Sequence, residues 1–137
     1  MNVLIWGASC FLGHSLISTL KDMREKSVQL ENGAQIGEIF ACDSNTDNAK
    51  MDEACSQADF VINISNAFDS DVLLESLLKH QNPCPMVLGS SVKSLENFRD
   101  YAEKNDVTVL EWSPVYDMEL LSVEAQVDDM LSAMQCA

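Results

Sequence analysis

Residues 3–13 read VLIWGASCFLG, and the fold turns on how this stretch is read. Val3 to Trp6 is a wholly apolar run of the length of a buried strand. A turn of small residues follows, and then Leu12, Leu16, Ile17, Leu20 and Met23 recur at helical spacing. Strand, tight turn and helix therefore succeed one another without a linker. Gly7 and Gly13 stand at the outer positions of a Gly-x-x-Gly-x-x-Gly loop, with Cys10 where the middle glycine would be. Such a loop holds phosphate because the first-turn amides of its helix lack internal partners, the helix dipole adds partial positive charge, and glycine lets the backbone approach the anion. A loop this degenerate is equally compatible with a plain strand-helix turn whose glycines serve chain geometry.

Outward from this unit the pattern alternates. Ile36 to Cys42 is a second strand ending at Asp43, and DSNTDN after it is loop-forming. Ala49 to Gln57 is a weak helix, Phe60 to Ile64 a third strand, and Asp71 to Lys79 a leucine-rich helix with Pro83 and Pro85 beyond it. Met86 to Leu88 is a fourth strand, Val92 to Ala102 a helix, Val107 to Trp112 a fifth strand, and Leu120 to Met134 a final helix. Short strands apolar on both faces belong in a parallel sheet covered by helices on both sides. The expectation is an α/β, Rossmann-like, doubly wound three-layer sandwich with a five-stranded parallel sheet in order 3-2-1-4-5. One domain over residues 1–137 fits this length, with no internal repeat or linker.

The hydrophobic fraction is 47%, enough for one core, and the formal net charge is -14. Every lysine and arginine lies at or before Lys104, so the last 33 residues hold seven acids and no base. Such a surface repels nucleic acid and anionic membrane, and a polyphosphate ligand must rely on local backbone amides. No apolar run reaches the length of a membrane span. The five cysteines, Cys10, Cys42, Cys55, Cys84 and Cys136, form no C-x-x-C pair, which points to reduced thiols and a cytoplasmic protein. His14 and His80 stand far apart, so no metal site is expected. A serine hydrolase would need G-x-S-x-G, and a phosphate-receiver domain an acidic pair after the first strand; both are missing.

In an open parallel sheet the ligand lies beyond the carboxyl ends of the strands at the point where strand order reverses, here between the first and fourth strands. The loops there are GASCFLG, Asp43-Ser44, Ser65 to Asp69 (SNAFD) and Gly89 to Lys93 (GSSVK). Cys10 reads as a passive replacement of glycine or, less simply, as a reactive thiol at a helix N-terminus. Ser90 and Ser91 read most simply as a helix cap.

On these residues a resemblance emerges. MNVLIWGASCFLGHSL resembles the opening of the extended short-chain dehydrogenases/reductases, the nucleotide-sugar epimerase and reductase group. EIFACDSNTD, QADFVINIS, PMVLGSS, VTVLEWSPVY and VEAQVDDMLSAM are similar, more weakly, to that family's later strands and its Val-Asp-Asp helix. Within the group the chain looks most like reductases of capsular-polysaccharide precursor synthesis. The resemblance implies NAD as cofactor, with the loop residues Gly7, Ser9, Cys10, Phe11, Leu12 and Gly13 on the diphosphate. It also implies Asp43 on the adenosine ribose and Ser65, Asn66 and Ser90 near the nicotinamide. Ser44 stands where an NADP-preferring relative has Arg, which favours NAD over NADP. Asp43 is read equally well as a cap of its own loop.

The departures bear on activity. The family's Tyr-x-x-x-Lys has no counterpart: Tyr101 and Lys104 are three apart and align with a later part of the helix. The catalytic set therefore reads as none, with Ser90 and Tyr101 as weak candidates, and the substrate lobe is missing. Phe68 is bulky enough to fill cofactor space. Three readings follow: a degenerate Rossmann protein that binds a dinucleotide or nucleotide without complete catalytic machinery; a module with a dead site that takes no cofactor and serves self-association or a protein partner of the acidic surface; and a minimal oxidoreductase acting on a nucleotide sugar.

Overall fold

The computed structural model describes residues 1–30, 33–65, 67–89, 95–111, 115–116, 119–120 and 122–136. The elements run β1 (Val3–Trp6), α1 (Phe11–Glu25), β2 (Ile39–Cys42), α2 (Asn48–Gln57), β3 (Phe60–Asn63), α3 (Ala67–Lys79), β4 (Met86–Leu88), α4 (Leu95–Asn105), β5 (Val109–Glu111), β6 (Val115–Tyr116), β7 (Glu119–Leu120) and α5 (Val123–Cys136). β1 to β5 form one parallel sheet, and β6 pairs with β7 in a small antiparallel hairpin that the sequence reading did not include.

The α/β class, the five parallel strands and the five helices agree with the sequence reading, but the strand order is 2-1-3-4-5 rather than 3-2-1-4-5. Burial explains the difference. All four residues of β3, FVIN, are buried, whereas β2, IFAC, leaves Ala41 exposed and Ile39 and Phe40 half-buried. The outer position of a sheet suits the strand that tolerates water, so β2 takes the edge and β3 the interior beside β1. Asn2 holds this register at the amino ends. Its carbonyl accepts from the Asp59 and Phe60 amides at 2.9 and 3.2 Å, its side-chain oxygen accepts from the Glu38 amide at 3.0 Å, and its side-chain amide donates to the Gln57 carbonyl at 3.1 Å.

Two apolar layers flank the sheet. Val3, Ile5, Phe60, Ile62 and Val87 face Leu16 and Leu20 of α1 and Val127, Met130 and Met134 of α5. Leu4, Trp6, Val61, Met86 and Leu88 face α2, α3 and α4 through Ala54, Cys55, Leu73, Leu77, Phe98 and Tyr101. The alternation along each strand is the period of two that any strand imposes. Because α1 lies on one face and α2 on the other, the winding reverses at β1 and the crevice opens between β1 and β3, not between the first and fourth strands.

Candidate functional site

The loop after β1 is shaped first by the protein itself. Gly7 has φ +89, and a Cβ there would lie 2.8 Å from the Ser65 amide nitrogen. Gly13 packs more tightly still, since a Cβ would meet the Ala8 carbonyl oxygen at 2.4 Å. Both glycines are thus required where backbone meets backbone, one between two loops and one where α1 is seated on its own loop. The Gly7 and Ala8 amides donate to the Cys42 carbonyl at 2.9 and 3.2 Å, which ties the loop to the end of β2.

Cys10 is the N-cap of α1, with φ -83 and ψ 168. Its Sγ accepts from the Gly13 amide at 3.4 Å and donates to the Gly7 carbonyl at 3.4 Å. The thiol is folded back into the turn while the residue remains exposed. One helix amide expected to face a diphosphate, that of Gly13, is therefore occupied by a side chain. The Phe11 and Leu12 amides, in the first turn, have no intrahelical acceptor by the geometry of any α-helix.

Asp43 follows β2. Its Oδ1 accepts from the Asn45 amide at 2.8 Å, and its own amide donates to Thr46 Oγ1 at 2.9 Å. The capping reading is realised in the structure, and the half-buried side chain also borders the crevice. Neighbouring Cys42 is buried, and burial pushes its thiol up to about 11.

These loops enclose a cleft of about 250 Å³ lined by Trp6, Gly7, Ser9, Cys10, Asp43, Ser44, Asn45, Ile64 and Ser65. A second cavity of about 310 Å³ shares Trp6, Asp43 and Ser44 and runs on between α2 and α3 past Asp52 and Lys79. The structure thus brings together six of the residues singled out in the sequence: Gly7, Ser9, Cys10, Asp43, Ser44 and Ser65. Phe11, at 74% exposure, projects outside the cleft lining, and Leu12 packs partly buried against the α1–α5 layer. Asn66 and Ser90 lie outside the described residues, as does the side chain of Phe68. His14 is exposed on α1, and His80 Nε2 pairs with Asp52 Oδ1 at 2.9 Å. Among the described residues no group of three His, Cys, Asp or Glu side chains is placed to hold a metal, and no helix is long and apolar enough to cross a membrane.

Tyr101 is not at the cleft. It is 3% exposed in α4, and its hydroxyl accepts from the Cys84 amide at 2.7 Å and donates to the Cys84 carbonyl at 3.3 Å. Cys84 precedes β4, at the amino edge of the sheet, opposite the cleft. Burial raises the phenol to about 12, a value that suits a structural tyrosine and not a proton donor near neutrality.

Sequence reasoning passed over Asn63, the last residue of β3. It is fully buried; its Nδ2 donates to Ser70 Oγ at 3.0 Å, and its Oδ1 accepts from the Ser65 amide at 3.1 Å and the Ser65 hydroxyl at 2.7 Å. The signal was a single amide in an otherwise apolar run, FVINI.

A parallel sheet wound in both directions, with a glycine-bearing strand-turn-helix beside its point of reversal, is a Rossmann-like fold of the nucleotide-binding type. No protein-family model and no curated protein matches the chain. Solved structures do. CapF in complex with the inhibitor 3-isopropenyl-tropolone is 25% identical, with a TM-score of 0.63 over 82% of this chain and 30% of that one. The capsular polysaccharide assembling protein CapF from Staphylococcus aureus is 22% identical, with a TM-score of 0.66 over 82% of this chain and 34% of that one. A second crystal form of the Staphylococcus aureus protein is 23% identical with a TM-score of 0.62. The chain spans only 30% to 34% of the length of these structures.

Proposed function

We propose that this chain is a nucleotide-binding module that takes NAD, or a nucleotide containing its ADP half, in the cleft between β1 and β3, and that it does not carry out hydride transfer by itself. The observation that carries the reading is the gathering of Ser9, Cys10, Asp43 and Ser65 around one cleft beside the N-terminus of α1. The Phe11 and Leu12 amides then face the diphosphate, and the Asp43 carboxylate takes the ribose hydroxyls. That carboxylate disfavours a 2′-phosphate, hence NAD over NADP. The likeness to CapF, at 25% identity, supports a capsule-precursor, short-chain-dehydrogenase-like ancestry. The chain lacks Tyr-x-x-x-Lys, and Tyr101 is placed at the other edge of the sheet. The buried free thiols Cys42, Cys55 and Cys84 suit the reducing cytoplasm.

Thermal unfolding with NAD, NADP, ADP and a nucleotide sugar tests the proposal. At ten times the dissociation constant a ligand stabilises by about 1.4 kcal/mol, a rise of several degrees in Tm for a domain of this size. NAD and ADP are expected to give that rise, and Asp43→Ala, compared with its own ligand-free Tm, to lose most of it. No shift with any of the four ligands overturns the reading and leaves an interaction module, homo-oligomeric or bound to a partner through its acidic surface.

A further inference from the structure

Asn63 and Ser70 are the buried polar side chains among the described residues, and both are hydrogen-bonded to Ser65 of the cleft lining. With Ser65 they form a closed circuit. Asn63 Nδ2 donates to Ser70 Oγ, the Ser70 and Ser65 hydroxyls are 3.1 Å apart, and Ser65 Oγ donates to Asn63 Oδ1. Either hydroxyl can donate in the link between Ser65 and Ser70. Asn63 Oδ1 also receives the Ser65 amide, the atom that a Gly7 side chain would strike at 2.8 Å. The circuit therefore sets the position of the backbone against which the first loop is packed. A strand whose only duty was to fill the core would serve as well with Val or Leu at this point, because an amide must be fully satisfied to enter an apolar layer at all. We propose that Asn63 and Ser70 are positioning residues for the cleft, holding Ser65, and through it Gly7, in the geometry that receives the nucleotide; the inference rests on the nucleotide reading above.

Ser70→Ala is the smallest perturbation, since it removes one hydroxyl and leaves the Asn63–Ser65 bonds in place. Tyr101→Phe, which loses a buried hydroxyl at the opposite edge of the sheet, serves as the matched control. Two readouts are taken on each full-length variant below its melting transition: NAD affinity by calorimetry and amide hydrogen exchange by NMR. Ser70→Ala is expected to weaken NAD by about ten-fold, the equivalent of one lost hydrogen bond. It is also expected to speed exchange at Ser65 and Gly7 while Leu4 and Val61 keep the parent rate, whereas Tyr101→Phe leaves NAD affinity and the Ser65 and Gly7 rates unchanged. Local acceleration in a protein whose parent binds neither NAD nor ADP sinks the nucleotide reading while the positioning of the loop stands. Parent-like exchange at Ser65 and Gly7, or acceleration spread evenly over the sheet, overturns the inference.

Discussion

Gly13→Ala is the substitution on which helix propensity and packing disagree most sharply. Gly13 lies inside α1, where alanine is favoured over glycine by about 1 kcal/mol. A Cβ at this position, however, falls 2.4 Å from the Ala8 carbonyl oxygen and 2.7 Å from the Ala8 carbonyl carbon. Both contacts are with backbone, so no side chain can swing aside, and the Ala8 amide is itself held by the Cys42 carbonyl at 3.2 Å. The helix must lift off its loop, at a cost of about 3 kcal/mol or more for overpacking a tight contact. The net loss is at least about 2 kcal/mol, or roughly 6–10 °C in Tm for a chain between the small and large domain classes. Urea and thermal unfolding by circular dichroism measure it, with Gly33→Ala alongside. Gly33 has φ +84 but open space around its Cβ, so that change carries only the left-handed backbone cost of about 1 kcal/mol. If Gly13→Ala unfolds at or above the parent temperature, α1 is not seated on Ala8 and the packing argument fails. The same clash makes any branched residue at Gly13 a poor probe of nucleotide binding, because loss of binding and loss of the loop coincide.

Tyr101→Phe strands the buried Cys84 amide, so it is expected to destabilise by about 1–3 kcal/mol while leaving any NAD-induced shift in Tm intact; loss of that shift would move Tyr101 into the binding site. Alkaline pH should unfold the protein early. Burial raises Cys42 and Cys55 to about 11 and Cys84 to about 12, above their ordinary value of 9.0. Groups raised on folding hold their protons longer in the native state, so their stabilisation is complete below pH 9 and is lost as pH rises through 11 to 12. The slope is on the order of 1 kcal/mol per pH unit for each thiol, read as a falling urea midpoint between about pH 9 and 11. A midpoint that stays flat over that range, or one whose slope is unaltered in Cys84→Ala, contradicts the burial argument.

The parallel α/β plan was legible because β1, β3 and β4 are apolar on both faces and α1 repeats its leucines at helical spacing. Strand order was not, because it depends on how much of each strand a neighbour must cover. The residue string hides that Ala41 is exposed while Asn63 is fully buried. The β6–β7 hairpin pairs only Val115–Tyr116 with Glu119–Leu120, too short for any periodicity to register. Ser9, Cys10, Asp43 and Ser65 could be placed at one edge from chain direction alone, since each follows the carboxyl end of a strand. Tyr101 could not be excluded that way. A tyrosine on a helix reads the same whether its hydroxyl meets a ligand or, as here, the backbone of Cys84.

The size and charge of the cleft decide what kind of binding it supports. At about 250 Å³ it falls short of the roughly 300–1,000 Å³ that encloses a drug-sized ligand, so it can cover only part of a molecule as long as a dinucleotide. Among the described residues no lysine or arginine lines it, Asp43 does, and the chain carries a formal charge of -14. Long-range attraction therefore works against an anionic ligand, and affinity has to come from contacts at hydrogen-bond range. In the nucleotide reading two of these would be the Phe11 and Leu12 amides of α1, whose cap is the Cys10 thiol and whose seat on Ala8 depends on the bare Gly13. By bonding to the Gly7 carbonyl and the Gly13 amide, the Cys10 thiol closes the turn and takes up one of the first-turn amides of α1.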